Sequence, residues 1–104
     1  MLINLGSFQQ KDSLVFSGRP NGESVRKELE LDKYDKTDVT FEIIIPEDTL
    51  SVNTSFFLGL FGDSVRAMGK DIFKKRFQFK GEKVILDSME SDIDEALKKS
   101  NVLG

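Results

Sequence analysis

The segment Asn53-Thr54-Ser55-Phe56-Phe57-Leu58-Gly59-Leu60-Phe61-Gly62 decides how this chain folds. Asn53 and Thr54 are short polar residues of the kind that cap a helix N-terminus, so the segment announces a helix from about Ser55 to Met68, with Gly69 as its C′ residue. Phe56, Phe57, Leu58, Leu60 and Phe61 surround its first turns almost completely, and a helix greasy all round is buried or docked. Gly59 and Gly62 each cost about 0.8 to 1 kcal/mol relative to Ala inside a helix. Close approach of a sheet or a partner would offset that cost.

Working outward on the N-terminal side, Val39-Thr40-Phe41-Glu42-Ile43-Ile44-Ile45 is dense in β-branched and aromatic residues and ends at Pro46, which reads as a strand. Its Ile triplet suggests a central strand covered on both faces. Glu47 to Val52 reads as a loop. The turn formers Gly18-Arg19-Pro20-Asn21-Gly22 lead into a first helix from about Gly22 to Lys33, with Val25 and Leu29 one turn apart and i,i+4 pairs at Glu23–Lys27 and Arg26–Glu30. At the start, two apolar runs at residues 2–8 and 13–17 flank the polar stretch 9–12, the pattern of a β-hairpin. On the C-terminal side, Lys70 to Lys75 reads as a short helix, Arg76 to Lys80 as a last strand, and Glu82 to Lys99 as a long helix striped by Ile85, Met89, Ile93, Ala96 and Leu97. The expected architecture is α/β: one mixed sheet of about four strands, opened by an N-terminal hairpin and packed against helices.

The chain has 104 residues, a length that suits one domain, and 38% hydrophobic residues including nine Phe, enough for a core. It holds no Cys and no His, which removes disulfides, thiol nucleophiles, the usual zinc ligands and the commonest neutral-pH acid–base group. No metal or cofactor is expected, and an enzyme has the least support. Residues 1–50 carry 6 basic and 10 acidic side chains and residues 51–104 carry 9 and 8, for a net charge of -3, which is no phosphate-tracking surface. No apolar run has the length of a membrane span and the first residues do not read as a leader, so the expected location is cytoplasmic.

The order of elements, together with Gly18-Arg19, Gly22, Val25-Arg26 and the run Thr54-Ser55-Phe56-Phe57 followed by Leu60-Phe61-Gly62, resembles the STAS domain superfamily and its STAS-like bacterial members of unknown function, over roughly residues 14–99. The resemblance implies a regulatory module that docks onto a partner protein, and the anti-sigma-factor antagonists of that superfamily bind a GHKL-type ATPase kinase. It also implies a phospho-acceptor at Ser55, with Thr54 second. Those antagonists carry Asp before the acceptor and a small residue after it, where this chain has Thr54 and Phe56. A phosphoryl group would set about -1.5 to -2 charges at a helix N-terminus, where the dipole favours anions. The plainer reading is that Asn53, Thr54 and Ser55 simply cap the helix.

The expected contact region runs from Ser51 to Phe61, with Ser51, Asn53, Phe56 and Phe57 at its centre and Arg19 and Arg66 on a polar rim. The rival is a single-stranded nucleic-acid or anionic-surface binder: Lys70, Lys74, Lys75, Arg76 and Lys80 interleave with Phe73, Phe77 and Phe79, the mixture that supplies phosphate contacts and base stacking. The bland account of that segment puts the three Phe in the core and leaves solvated lysines. Glu47 and Asp48, adjacent in a polar loop, do not make an acid–base pair facing one substrate.

Overall fold

The computed structural model describes residues 1–9 and 14–103, with side chains as far as residue 98. Its elements are β1 (Leu2–Asn4), β2 (Val15–Phe16), α1 (Arg19–Leu29), α2 (Leu31–Tyr34), β3 (Phe41–Ile44), β4 (Ser51–Val52), α3 (Thr54–Met68), α4 (Lys70–Arg76), β5 (Phe77–Lys80) and α5 (Lys83–Leu103), and a single 3-10 turn at Leu5–Phe8 follows β1. The architecture is mixed α/β.

The strands form two small parallel sheets, β1-β3-β5 and β2-β4. This corrects the expected hairpin and the expected single mixed sheet: β1 runs parallel to β3, and β2 runs parallel to β4. Of the polar stretch 9–12 expected to turn between them, residues 10–12 lie outside the described residues. The first apolar run stops being a strand at Asn4, whose side chain accepts from the Gly6 N–H and starts the 3-10 turn. Ser51 and Val52, expected as loop, supply β4 and lead straight into α3.

β3 is central, as its β-branched run implies, but among the described residues only one face of the sheet is fully buried, the other being half-buried to exposed. Ile3, Phe41, Ile43 and Phe77 point into the core, whereas Leu2, Glu42 and Gln78 share a register row on the other face, as do Asn4, Ile44 and Lys80. Leu2 is 65% exposed there, and Glu42 pairs with Lys80 across that face at 3.2 Å.

α1 begins three residues earlier than expected because Gly18, at φ 90, turns the chain and Pro20 sits in the first turn, where its missing N–H is not needed. Glu30, at φ 57, then separates α1 from α2. Arg26 does not face Glu30: it is buried, and its guanidinium bonds Asp32, Asp35, the Ser64 hydroxyl and the Leu60 carbonyl, tying α1 and the α2 turn to α3. The two helices cross where glycines face each other. A Cβ on Gly22 would stand 2.2 Å from the Phe56 carbonyl, and one on Gly59 would stand 2.4 Å from the Arg19 carbonyl. Gly59 therefore serves close approach as expected, to a helix and not to a sheet or a partner. Gly62 serves a different end, lying under the Arg66 guanidinium.

α3 is the central beam. Phe57 and Phe61 meet Phe73, and Phe61 also meets Phe77 and Phe79 edge to face, so the sheet, α4 and α3 share one core with Ile85, Met89 and Ile93 of α5.

Candidate functional site

Each of the parallel strands β2 and β4 feeds directly into a helix, α1 and α3, and the Gly22/Gly59 crossing lies within two turns of both helix starts. Two helix N-termini thus gather beyond the carboxyl ends of a parallel strand pair, the place where α/β proteins tend to build sites. A cleft of about 510 Å³ opens there, lined by Arg19, Asn53, Thr54, Ser55, Leu58, Ser91, Asp92 and Glu95.

Asn53 is the N-cap, and its side-chain oxygen accepts from the Ser55 N–H at 3.0 Å and from the Ser55 hydroxyl at 2.9 Å. The capping reading of this residue holds. The Thr54 hydroxyl instead leaves its own helix and donates to Asp92 Oδ1 of α5 at 2.7 Å. Asp92 is only 2% exposed, and its Oδ2 has no hydrogen-bond partner among the described residues. Burial pushes the Asp92 carboxyl above the ordinary carboxylate range; the Thr54 hydrogen bond works against that rise and the Glu95 charge adds to it.

The aromatic centre of the expected contact region is not at the surface. Phe56 and Phe57 are 2% and 0% exposed, Phe56 against Phe16 and Phe57 against Phe61 and Phe73, so neither can meet a partner. Ser51, Asn53, Thr54 and Arg19 are exposed and Ser55 is half-buried. Arg66 is remote from them: three turns along α3, it pairs with Asp63 at 2.6 Å and reaches the Ala96 carbonyl.

In the basic and aromatic segment at 70–83, Phe79 is half-buried beside Lys74 in a shallow cleft. Phe73 and Phe77 are core, and Arg76 is buried, holding the Tyr34, Asp35 and Val39 carbonyls. Lys70 pairs with Asp94 and Glu90, Lys74 with Glu90 and Lys80 with Glu42, while Lys75 stays exposed. Two α5 residues that matter most here, Asp92 and Glu95, were not legible as a site. A signal existed for the first: Asp92 falls on the buried stripe Ile85, Met89, Ala96, where an acid is out of place.

Among the described residues no group of three or more His, Cys, Asp or Glu could hold a metal ion, and no helix is long and apolar enough to cross a membrane. No family model, no curated protein and no solved structure matches the chain.

Proposed function

We propose that this chain is a regulatory interaction module of the STAS-like kind, working by docking onto a partner protein and not by catalysis. The observation that supports it best is the less covered face of the sheet. All-parallel sheets occur almost only with both faces covered, because the helical crossovers that join parallel strands lie on the faces. Here the exposed Leu2 and the half-buried Ile44 lie on the less covered face among Glu42, Gln78 and Lys80, a mixture of apolar area and polar rim suited to a second polypeptide. On this reading the sheet face makes the contact, and the buried Phe56 and Phe57 do not.

On this reading the head of α3 is the control point, and a GHKL-type ATPase kinase is the partner first worth trying. A phosphoryl group on Ser55 would enter the cleft that Arg19, Asp92 and Glu95 also line, one cation and two acids.

The docking test is capture of a partner by tagged protein, compared with the double variant Leu2→Lys with Ile44→Thr. Loss of capture by a variant that keeps its circular dichroism spectrum and melting behaviour is the expected result; undiminished capture rejects this face. Capture should persist at raised salt, whereas phosphate-driven retention of nucleic acid would fall steeply. Incubation with the kinase and ATP followed by mass spectrometry checks Ser55, and phosphate found only elsewhere rejects that site.

A further inference from the structure

The larger sheet ends at β5, whose outer edge has no neighbouring strand among the described residues. The Ile45 N–H bonds the Lys80 carbonyl at 2.8 Å, so Lys80 and, two residues back, Gln78 turn their backbone groups to β3. Phe79, between them, turns its N–H and C=O outward. Phe77 does the same with its carbonyl, its N–H being spent on the Phe73 carbonyl at the end of α4. A shallow cleft of about 280 Å³ runs beside this edge. It is lined by Phe79 from the core face, by Gln78 from the opposite face and by Leu86, Met89 and Ile93 of α5, so it opens at the rim of the strand.

Exposed edges are usually guarded by a bulge, a proline or a lysine. β5 has neither of the first two, and its lysine, Lys80, is drawn to Glu42 of its own sheet at 3.2 Å. At four residues the strand is short, which limits the affinity of whatever pairs there. The opposite edge, β1, is shorter still and turns away at Asn4. The charges at the two ends of β5 are opposite and unspent: Lys75, just before the strand, and Glu82, just after it, are exposed and make no ion pair among the described residues. An antiparallel strand with a base before its start and an acid after its end complements both, and β5 itself is such a strand.

We infer that two copies of this chain pair through β5, antiparallel about a two-fold axis at Phe79, joining two three-stranded sheets into one. This register lets Phe79 exchange both its backbone bonds with Phe79 of the second copy. It sets Gln78 opposite Lys80 and brings Glu82 of each copy to the Lys75 end of the other, with the two clefts meeting beside the paired phenylalanines. A two-fold at Lys80 would instead set lysine opposite lysine. The inference goes beyond the partner-docking reading and does not depend on it, since the pairing uses the rim of the sheet and leaves the face of Leu2 and Ile44 free.

The test is sedimentation equilibrium of the full-length protein up to about millimolar concentration, with amide chemical shifts followed on dilution. A monomer–dimer equilibrium is expected, with a dissociation constant of about 0.1 to 1 mM because the contact is small, and with the dilution-sensitive amides at Phe77 to Glu82. Gln78→Lys, which faces like charges twice per dimer, and Lys75→Glu, which faces acid with acid, should each raise that constant by about fivefold or more. Adding Glu82→Lys to Lys75→Glu should restore it to within about twofold, since the exchanged charges again face their opposites. All three positions are exposed, so the variants keep the fold. A protein that stays monomeric throughout, a dimer that Gln78→Lys leaves intact, or one that the charge exchange does not restore overturns the pairing. So does a dimer lost in Leu2→Lys with Ile44→Thr and kept in Gln78→Lys, because that contact belongs to the sheet face.

Discussion

Asp92 and Arg26 are both buried charges, yet the structure treats them in opposite ways. Arg26 has every direction satisfied, by Asp32, Asp35, Ser64 and the Leu60 carbonyl. Arg26→Met should therefore destabilise the protein by about 3 to 5 kcal/mol, measured by urea unfolding, because Asp35 would be left buried without its counter-charge. Asp92 is half satisfied. Its carboxyl titrates above the ordinary value, so the folded state holds the proton more tightly than the unfolded chain does. Stability is then lost as pH rises from the unfolded value through the folded one and is not penalised below both. Asp92→Asn, which cannot ionise, should melt higher than the natural protein at neutral pH, and the gap should close as pH falls to about 4 and below.

At the scale of elements, the α1–α3 crossing explains why a helix accepts glycine in its interior. Gly22 and Gly59 let two backbones come closer than any Cβ allows, and the helix-propensity loss is offset by the packing this permits. Gly22→Ala and Gly59→Ala should each cost about 1 to 3 kcal/mol or more, since the atoms in the way are backbone and cannot swing aside. The double variant should cost less than the sum, because the first alanine already forces the helices apart; thermal unfolding of all three proteins checks this.

Over the whole molecule, the two small sheets do not have separate cores. α3 packs against α1, α4 and α5 and reaches the aromatic cluster of β5, and the Cα radius of gyration is 12.7 Å, close to the roughly 13 Å of a folded chain of this length. Unfolding in urea should be a single transition. Fluorescence of the lone tyrosine, Tyr34, which stands against Phe41, should follow the same curve as far-UV circular dichroism, and separated midpoints would show that the sheets melt apart. The less covered face of the larger sheet belongs to this scale too, since only the joint registers of β1, β3 and β5 reveal that Leu2, Glu42, Gln78, Ile44 and Lys80 share one side of it.

The local pattern alone determined α3 with its Asn53 cap and Gly69 end, the strand at Phe41 to Ile44, the last strand and the α5 stripe, because helix capping and side-chain periodicity are properties of neighbouring residues. Partnering was beyond its reach. Two adjacent apolar runs look like a hairpin whether they pair with each other or, as here, with strands far along the chain, and three isoleucines in a row hide the alternation that Phe41, Glu42 and Ile43 display. The candidate cleft was half legible, through Asn53, Thr54, Ser55 and Arg19. Its acids come from α5, some 40 residues away, and only the packing of that helix on α3 decided that Asp92 would be buried against Thr54 with one oxygen left over.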